Sequence, residues 1–153
     1  MLVESCRLIE FPSIADSRGV LAFAEAKRHV PFEIKRLFYI FDVPAGGTRG
    51  GHAHRTVEHL LICPSGSFDV IVDDGTRKLQ LGLNSPSVGL YIPPLIWDTE
   101  LNFRPGSVCI VLASDYYDEK DYYRNYDEFL RAASNARTQS TLRTAPQPPQ
   151  FSE

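Results

Sequence analysis

Short apolar segments alternate with polar residues from Cys6 to Ser114, and Gly, Pro, Asn and Asp separate them. About eight of these segments are typical of β-strands, because they are short, rich in branched and aromatic residues, and bounded by turn residues. Their sequences are LIEF, VLAFAE, IKRLFYIFDV, EHLLICPSG, SFDVIVDDG, KLQLGL, SVGLYIPP and SVCIVLAS. A series of short strands of this kind predicts an all-β fold of the sandwich or barrel type.

The pattern changes in residues 115–133, DYYDEKDYYRNYDEFLRAA, which are rich in tyrosine and acidic residues. Apolar side chains recur there at helical spacing, and we predict a short helix from about Glu119 or Asp121 to Ala133. The face of this helix that packs on the β-domain is expected to carry Tyr122, Tyr126, Phe129 and Leu130. Residues 134–153 contain few apolar side chains and are predicted to be a disordered tail, so residues 1–133 form the folded domain.

Composition narrows the classes of function. The chain has 153 residues, of which 43% are apolar and 23% are charged, as in an ordinary globular protein. Its formal net charge of −3 does not favour binding to nucleic acid or to an anionic membrane. No apolar segment is long enough to span a bilayer, and the first residues lack the pattern of a secretory signal, so we expect a cytoplasmic protein. The three cysteines, Cys6, Cys63 and Cys109, have no CxxC spacing, which argues against a disulfide framework or a structural zinc site.

A histidine pair follows a glycine-rich turn in residues 44–58, PAGGTRGGHAHRTVE. His52 and His54 alternate along an expected strand, so both imidazoles should leave the same face. Two adjacent imidazoles can exchange protons near neutral pH, which indicates acid–base chemistry rather than packing. His29 and His59 lack this context, and we interpret both as structural residues.

The segment from Gly46 through His52 and His54 to Glu58 resembles the first cupin motif, a glycine followed by HxH and then a glutamate. Further sequence segments closely resemble those of the dTDP-4-keto-6-deoxyglucose 3,4-ketoisomerases, which belong to the sugar-isomerase cupins. These segments are IKRLFYIFDV, RGGHAHR, NSPSVGLYIPPLIW and LASDYYDEKDYYRNYDEFL. The resemblance extends over residues 8–130, and it implies a cupin (jelly-roll) β-barrel with a short C-terminal helix.

The resemblance also implies an activity. Members of this family move a ketone from C4 to C3 of a dTDP-linked 4-keto-6-deoxy sugar, in deoxy amino sugar biosynthesis, and they use neither cofactor nor metal. A base removes the C3 proton to give an enediolate, which is then protonated at C4. The family's histidine pair falls on His52 and His54, which are therefore the expected catalytic residues. Its arginines fall on Arg49 and Arg36, which are expected to contact the diphosphate or the enediolate.

A homodimer is the expected assembly. The resemblance implies it, and open barrels of this size leave sheet edges that need cover. The apolar segment from Leu8 to Phe11 is expected to supply such cover to a partner subunit.

Arg18, Tyr39, Trp97 and Asp98 are further candidates for substrate binding. Asp98 departs from the family pattern, in which His or Arg tends to follow the tryptophan. Family members differ in the gluco or galacto configuration of the product at C4, and this departure leaves that outcome open. Arg18, within DSRG, is similar to the galacto-forming branch, whereas Tyr39 and Trp97 can equally be packing residues.

Other functions fit parts of the same pattern. A metal-dependent cupin, such as an oxygenase, would use His52, His54 and Glu58 as ligands, with Asp98 as a fourth. Against a metal, Leu95 stands where the second cupin motif has its glycine, and bound metal would occupy the imidazole nitrogens. A related deoxysugar epimerase would also begin by removing a proton beside the ketone, and a sugar-binding cupin would bind without turnover. The position of the ketone in the product separates these possibilities.

Overall fold

The computed structural model describes residues 2–144. Its strands form two five-stranded antiparallel sheets and one hairpin, and a helix follows them. The strands are β1 (Arg7–Glu10), β2 (Ser13–Asp16), β3 (Gly19–Ala22), β4 (Arg36–Ile40), β5 (Arg49–His54), β6 (His59–Ser65), β7 (Phe68–Asp73), β8 (Lys78–Leu83), β9 (Val88–Ile92), β10 (Trp97–Leu101), β11 (Val108–Ala113) and β12 (Tyr122–Tyr123). One sheet has the order β1-β9-β6-β11-β4 and the other β12-β5-β10-β7-β8, while β2 pairs with β3. The predicted all-β class is confirmed.

The largest hydrophobic cluster draws side chains from both sheets. In β7, Phe68, Val70 and Val72 are fully buried, because alternate residues of a strand face the same side. They pack with Leu61 of β6 and Val111 of β11, which belong to the other sheet. This cluster holds the two sheets together and fixes the strands that carry the site.

The C-terminal helix, α1, spans Tyr126–Thr144, so it begins later and ends later than predicted. Its start is set by Asn125, whose side-chain oxygen accepts a hydrogen bond of 3.0 Å from the backbone N–H of Glu128. Tyr122 therefore does not lie on the helix, and instead belongs to β12, which pairs with β5. Phe129 is buried against the β-domain, as predicted, and Ala133 is buried in the same cluster.

The predicted disordered tail is wrong for residues 134–144, which continue α1, while residues 145–153 lie outside the described part of the chain. No Gly or Pro interrupts the sequence between Ala133 and Pro146, so the helix can propagate through polar residues. Arg137 anchors this extension by donating a 2.6 Å hydrogen bond to the backbone oxygen of Asp74.

The cysteines are free thiols, with Cys63 and Cys109 buried and Cys6 partly buried. Within residues 2–144, no helix combines the length and the apolar character needed to cross a membrane.

Candidate active site

A cavity of about 360 Å³ opens between the two sheets. Strands β5 and β10 supply one wall, and β4, β6 and β11 supply the facing wall. The lining residues are Phe38, Ile40, Thr48, Arg49, Gly50, His52, His59, Leu61, Asp98, Glu100, Val111, Tyr122 and Arg124. Polar and titratable side chains therefore gather at one place between largely apolar sheets, which marks a candidate site.

The glycine-rich turn shapes the cavity wall. Gly50 has a φ of +70°, and a Cβ at this position would lie 2.7 Å from Oε2 of Glu100 and 2.8 Å from the backbone oxygen of Asp98. The register of β5 against β10 shifts here, since Asp98 pairs with His52 and Thr99 pairs with Gly50. This β-bulge leaves Gly51 without a partner in β10 and sets the direction of the histidine pair that follows.

His52 faces the cavity, and His54 lies behind it. Their ring centroids are 5.1 Å apart and the rings are perpendicular. The ring of Tyr122 contacts both, with centroid distances of 5.0 Å to His52 and 4.3 Å to His54. His54 is buried and is absent from the cavity wall. The sequence therefore predicted the adjacency of the pair but not that only His52 lines the cavity.

Asp121 orients His54. Nδ1 of His54 lies 2.9 Å from Oδ2 of Asp121, while Oδ1 of Asp121 accepts hydrogen bonds from the backbone N–H and the hydroxyl of Thr56 at 2.9 and 2.7 Å. Burial raises the pKa of Asp121, but the hydrogen bonds from Thr56 and His54 outweigh it and hold that pKa below its ordinary value. An ionised Asp121 makes Nδ1 of His54 a donor, which leaves Nε2 of His54 as the free basic atom. That Nε2 is buried and has no hydrogen-bond partner among the described residues.

Burial keeps the imidazoles neutral. Desolvation, together with the charges of His54 and Arg124, lowers the pKa of His52 to about 4. Burial also lowers the pKa of His54, although its hydrogen bond to Asp121 acts in the opposite direction. At neutral pH His52 is therefore an unprotonated base on the cavity wall.

His59 lies on the cavity wall, and the structure corrects its interpretation as a purely structural residue. Residues 55–58 turn the chain from one sheet to the other, so His59 opens β6 and faces His54 across a ring distance of 4.3 Å. Its buried Nε2 has no partner within the described chain, and burial lowers its pKa well below the ordinary value. His29, by contrast, accepts a 3.1 Å hydrogen bond from the backbone N–H of Glu25 and is absent from the cavity wall.

The predicted substrate-binding residues divide into two groups. Arg49 and Asp98 line the cavity. Arg36 lies nearby without lining it; the Arg36 guanidinium carbon lies 5.2 Å from the Phe38 ring centroid, and its buried Nε has no partner in the described residues. Its charge is close enough to lower the pKa values of His54 and His59.

Arg18, Tyr39 and Trp97 are not brought to this cavity. The Arg18 side chain is 88% exposed and pairs with Asp16 in the β2–β3 hairpin. Tyr39 points outward, because its neighbours Phe38 and Ile40 take the inward positions of β4. Trp97 packs against Tyr126 and Phe129 under α1, with ring distances of 5.1 and 5.6 Å.

The structure adds site residues that sequence reasoning missed, namely His59, Glu100, Tyr122 and Arg124 on the wall and Asp121 behind it. The guanidinium of Arg124 lies 4.3 Å from the Tyr122 ring centroid and pairs with Glu119. Arg124 and Arg49 make the cavity favourable for an anion, and His52 supplies a neutral base. Such a set suits proton removal from carbon in an anionic ligand.

A family model described as FdtA, WxcM-like, C-terminal matches residues 4–134. A TDP-4-oxo-6-deoxy-alpha-D-glucose-3,4-oxoisomerase of Aneurinibacillus thermoaerophilus is 48% identical over 125 residues, which are 82% of this chain and 90% of the relative. The 3,4-ketoisomerase QdtA from Thermoanaerobacterium thermosaccharolyticum, solved as a histidine-to-asparagine mutant in complex with TDP-4-keto-6-deoxyglucose, is 44% identical. Its alignment covers 88% of this chain and 97% of QdtA, with a TM-score of 0.85.

The rmlC epimerase from Mycobacterium tuberculosis is more distant, at 18% identity with a TM-score of 0.70, over 80% of this chain and 70% of the epimerase. At this identity the likeness concerns the fold alone. It confirms the predicted cupin-like barrel.

Proposed function

Because this chain belongs to the FdtA family of WxcM-like, C-terminal proteins, we propose that it isomerises TDP-4-keto-6-deoxyglucose to a 3-keto-6-deoxyhexose. It is a sugar-nucleotide 3,4-ketoisomerase, as the sequence predicts. The observation that carries the proposal is the extended likeness to the Aneurinibacillus oxoisomerase. The cavity agrees with it, since it offers a neutral base and cationic side chains.

His52 is the carbon base in this proposal. It removes the proton from C3, which the neighbouring C4 ketone acidifies, and it returns a proton to C4 of the resulting enediolate. His54 serves as the relay behind it, because Asp121 fixes its tautomer and leaves Nε2 free to accept a proton. A proton also passes from the oxygen on C3 to the oxygen on C4, so that the ketone ends at C3. Because His54 does not line the cavity, it takes part in this transfer through a group that does.

Arg49 and Arg124 are the proposed diphosphate contacts. Both line the cavity, and a guanidinium can bind phosphate oxygens with two parallel hydrogen bonds. Arg124 is held in place by Glu119 and by the ring of Tyr122. The charge of Arg36 is close enough to lower the pKa of His54, and we assign that charge to stabilisation of the enediolate.

Incubation with TDP-4-keto-6-deoxyglucose in deuterated water, followed by NMR of the product, tests the reaction. We expect the ketone at C3 and deuterium at C4. A ketone retained at C4 with inverted neighbouring centres would identify an epimerase instead. Binding without any change in the sugar would identify a sugar-binding cupin.

The donor set of a metal-dependent cupin does not fit this site. Glu58, the carboxylate of the first motif, accepts a 2.6 Å hydrogen bond from the hydroxyl of Tyr91. Tyr91 packs in the cluster around Phe32 and Leu60, so Glu58 is engaged away from the histidine pair. Across residues 2–144, no group of three His, Cys, Asp or Glu side chains is arranged to hold a metal ion.

We therefore predict that chelation leaves the enzyme unaffected. Incubation with EDTA should leave kcat and KM unchanged, because His52 and His54 act with unmetallated nitrogens. The measurement is the turnover rate before and after chelation, alongside elemental analysis of the purified protein. Activity that is lost to EDTA and restored by one divalent ion would contradict this and favour a metal-dependent cupin.

A homodimer is the proposed assembly. Residues Arg7–Glu10 form β1, which pairs with β9 of its own chain but is the outermost strand of its sheet, so the expected cover of a partner by the segment from Leu8 to Phe11 stays a prediction. Leu8 is half exposed, and further exposed apolar side chains lie elsewhere. They belong to the outer face of the edge strand β4 and its end, and to the β2–β3 hairpin, as Leu37, Tyr39, Phe41, Ile14, Val20 and Leu21. Exposed apolar edges of this kind favour burial against a second copy.

Light scattering should accordingly give the mass of two chains at micromolar concentration. Val20 is 71% exposed in the hairpin, so Val20→Glu should shift the mass toward one chain by placing a charge in the proposed interface. Leu79→Glu is the matched control, since Leu79 is an exposed apolar residue on β8, the edge strand of the other sheet. A single-chain mass for the unmodified protein would exclude the dimer.

The cytoplasmic location and the absence of nucleic-acid binding stay predictions.

A further inference from the structure

The guanidinium of Arg124 is fixed by two separate contacts at the cavity wall. Its Nη2 donates a 2.9 Å hydrogen bond to Oε2 of Glu119, and its Nε donates to Oε1 of the same carboxylate. The guanidinium carbon lies 4.3 Å from the centroid of the Tyr122 ring. A carboxylate that accepts two hydrogen bonds and a ring contact together restrict both the position and the rotation of a guanidinium.

Glu119 is held in place in turn by Tyr117, whose hydroxyl donates a 2.6 Å hydrogen bond to Oε2 of Glu119. The hydrogen bonds from Arg124 and Tyr117 lower the pKa of Glu119 to about 2, so the carboxylate is charged at neutral pH. The Glu119 and Arg124 side chains are 55% and 53% exposed, and exposed ion pairs contribute little to folding stability. Stability therefore gives little reason for so complete a set of contacts, and a role in binding explains it better.

The carboxylate of Glu119 uses one edge of the guanidinium and leaves the other. It accepts from Nε and Nη2 of Arg124, which form the side edge of the planar group. Glu119 leaves Nη1 and the second N–H of Nη2, which form the end edge. Two parallel N–H groups on one edge match two oxygens of a phosphate, so the end edge suits an anion in the cavity.

Arg124 lies close to the proposed carbon base. Its charge is one of those that lower the pKa of His52, and both residues line the cavity. Under the proposed function, the sugar of the substrate must reach His52. Because the diphosphate is attached directly to that sugar, it lies beside the sugar when the substrate is bound, where Arg124 can meet it.

We propose that Glu119 is a positioning residue for the nucleotide: by taking up the side edge of Arg124, it turns the end edge toward the diphosphate of the bound substrate. Tyr117 holds Glu119 in the orientation that this requires. The inference rests on the proposed ketoisomerase function, in which Arg124 contacts the diphosphate, and it adds how that contact is oriented before the ligand arrives. A donor oriented in advance binds more tightly, because less side-chain freedom is lost on binding.

Charge alone predicts the opposite effect of Glu119 on binding. Its carboxylate repels a negatively charged diphosphate, so removal of the charge without any loss of orientation would strengthen binding. The sign of the change in nucleotide affinity therefore distinguishes a positioning residue from a carboxylate that is merely nearby.

Calorimetry with TDP measures that sign. Glu119→Gln keeps the size of the side chain but loses the charge and one of two acceptor oxygens, and we expect the affinity for TDP to fall about fivefold because Arg124 is less restrained. Tyr117→Phe changes no charge, and we expect a fall of about twofold in the same direction. Glu4→Gln is the matched control, since Glu4 is an exposed glutamate that pairs with Arg77 and neither residue lines the cavity. It should leave the affinity for TDP unchanged.

An Arg124→Ala background gives the second readout, because Glu119 then has no guanidinium to orient. In that background, Glu119→Gln should leave the affinity for TDP unchanged or increase it. A fall of equal size in both backgrounds would show that Glu119 acts without Arg124, and an increase in both would reduce Glu119 to a repelling charge. Either result overturns the proposal, as does an unchanged affinity when Glu119→Gln is made in the unmodified enzyme. If Arg124→Ala alone leaves the affinity unchanged, Arg124 does not bind the diphosphate and the positioning role is wrong with it.

Turnover shows whether Glu119 also takes part in the chemistry. With TDP-4-keto-6-deoxyglucose, Glu119→Gln should raise KM about fivefold and keep kcat within about twofold, because the lost interaction is equal in the ground and transition states. A fall in kcat at unchanged KM would contradict a role limited to positioning. Absence of isomerisation by the unmodified enzyme would instead refute the proposed function, whereas calorimetry with TDP decides the positioning role without turnover.

Discussion

The His52→Asn variant should lose about 10³-fold in kcat while keeping its fold and its affinity for TDP, because removal of a general base typically costs about 10²–10⁴-fold. Asparagine is close to histidine in size and polarity but cannot accept the C3 proton. His52 is only partly buried and faces the cavity, so its replacement leaves the hydrophobic cluster between the sheets intact. The measurements are steady-state kinetics with TDP-4-keto-6-deoxyglucose and calorimetry with TDP.

His29→Asn is the matched control, since it makes the same replacement at an imidazole that is absent from the cavity wall. It should leave kcat unchanged. Turnover of His52→Asn at the rate of the unmodified enzyme would remove His52 as the carbon base and direct attention to His59, which also lines the cavity.

The pH profile of the unmodified enzyme follows from the same assignment. His52 acts only when unprotonated, and its pKa is lowered to about 4. kcat/KM should therefore be flat near neutral pH and fall as the pH drops toward 4, because protonation of His52 removes the base. Bound diphosphate adds negative charge, which favours protonated His52, so the acid limb of kcat should lie at higher pH than that of kcat/KM. An acid limb of kcat/KM near 6.5, the ordinary histidine value, would indicate a different base.

The local sequence pattern was sufficient for the strands and for the histidine pair. Alternation along β5 predicted that His52 and His54 lie together. The glycines before them predicted a sharp change of chain direction, and the structure has a β-bulge there, at Gly51. The same alternation places Arg36 and Tyr39 on opposite faces of β4, but it does not determine which of the two faces is the interior one. That choice depends on the facing sheet, which no local pattern encodes.

Residues brought in by tertiary contacts were out of reach of sequence reasoning. Asp121 is 67 residues from His54 along the chain, and its role exists only because β12 pairs with β5. The segment that contains it was predicted as helix, since its tyrosines also fit a helical period. Asn125, whose side chain caps α1, was the available signal that the helix starts after Tyr122 and Tyr123.

Asp121→Asn should lower kcat by about 10²-fold, because it changes the tautomer of His54 without removing the imidazole. In the unmodified enzyme, Nδ1 of His54 donates to Asp121 and Nε2 is free. The asparagine can keep its carbonyl oxygen on Thr56, and its NH2 group would then face Nδ1. Nδ1 must become the acceptor, so the proton moves to Nε2 and the relay loses its basic atom.

The tautomer is directly observable, which distinguishes a positioning role from a structural one. The ¹⁵N shifts of the His54 imidazole should report Nδ1–H in the unmodified enzyme and Nε2–H in Asp121→Asn, while the affinity for TDP stays the same. Asp127→Asn serves as the control, since Asp127 is an exposed aspartate in the first turn of α1. If Asp121→Asn retains full kcat although the tautomer has switched, His54 is not a proton relay. If the tautomer does not switch and the protein is instead destabilised, Asp121 serves the fold and not the chemistry.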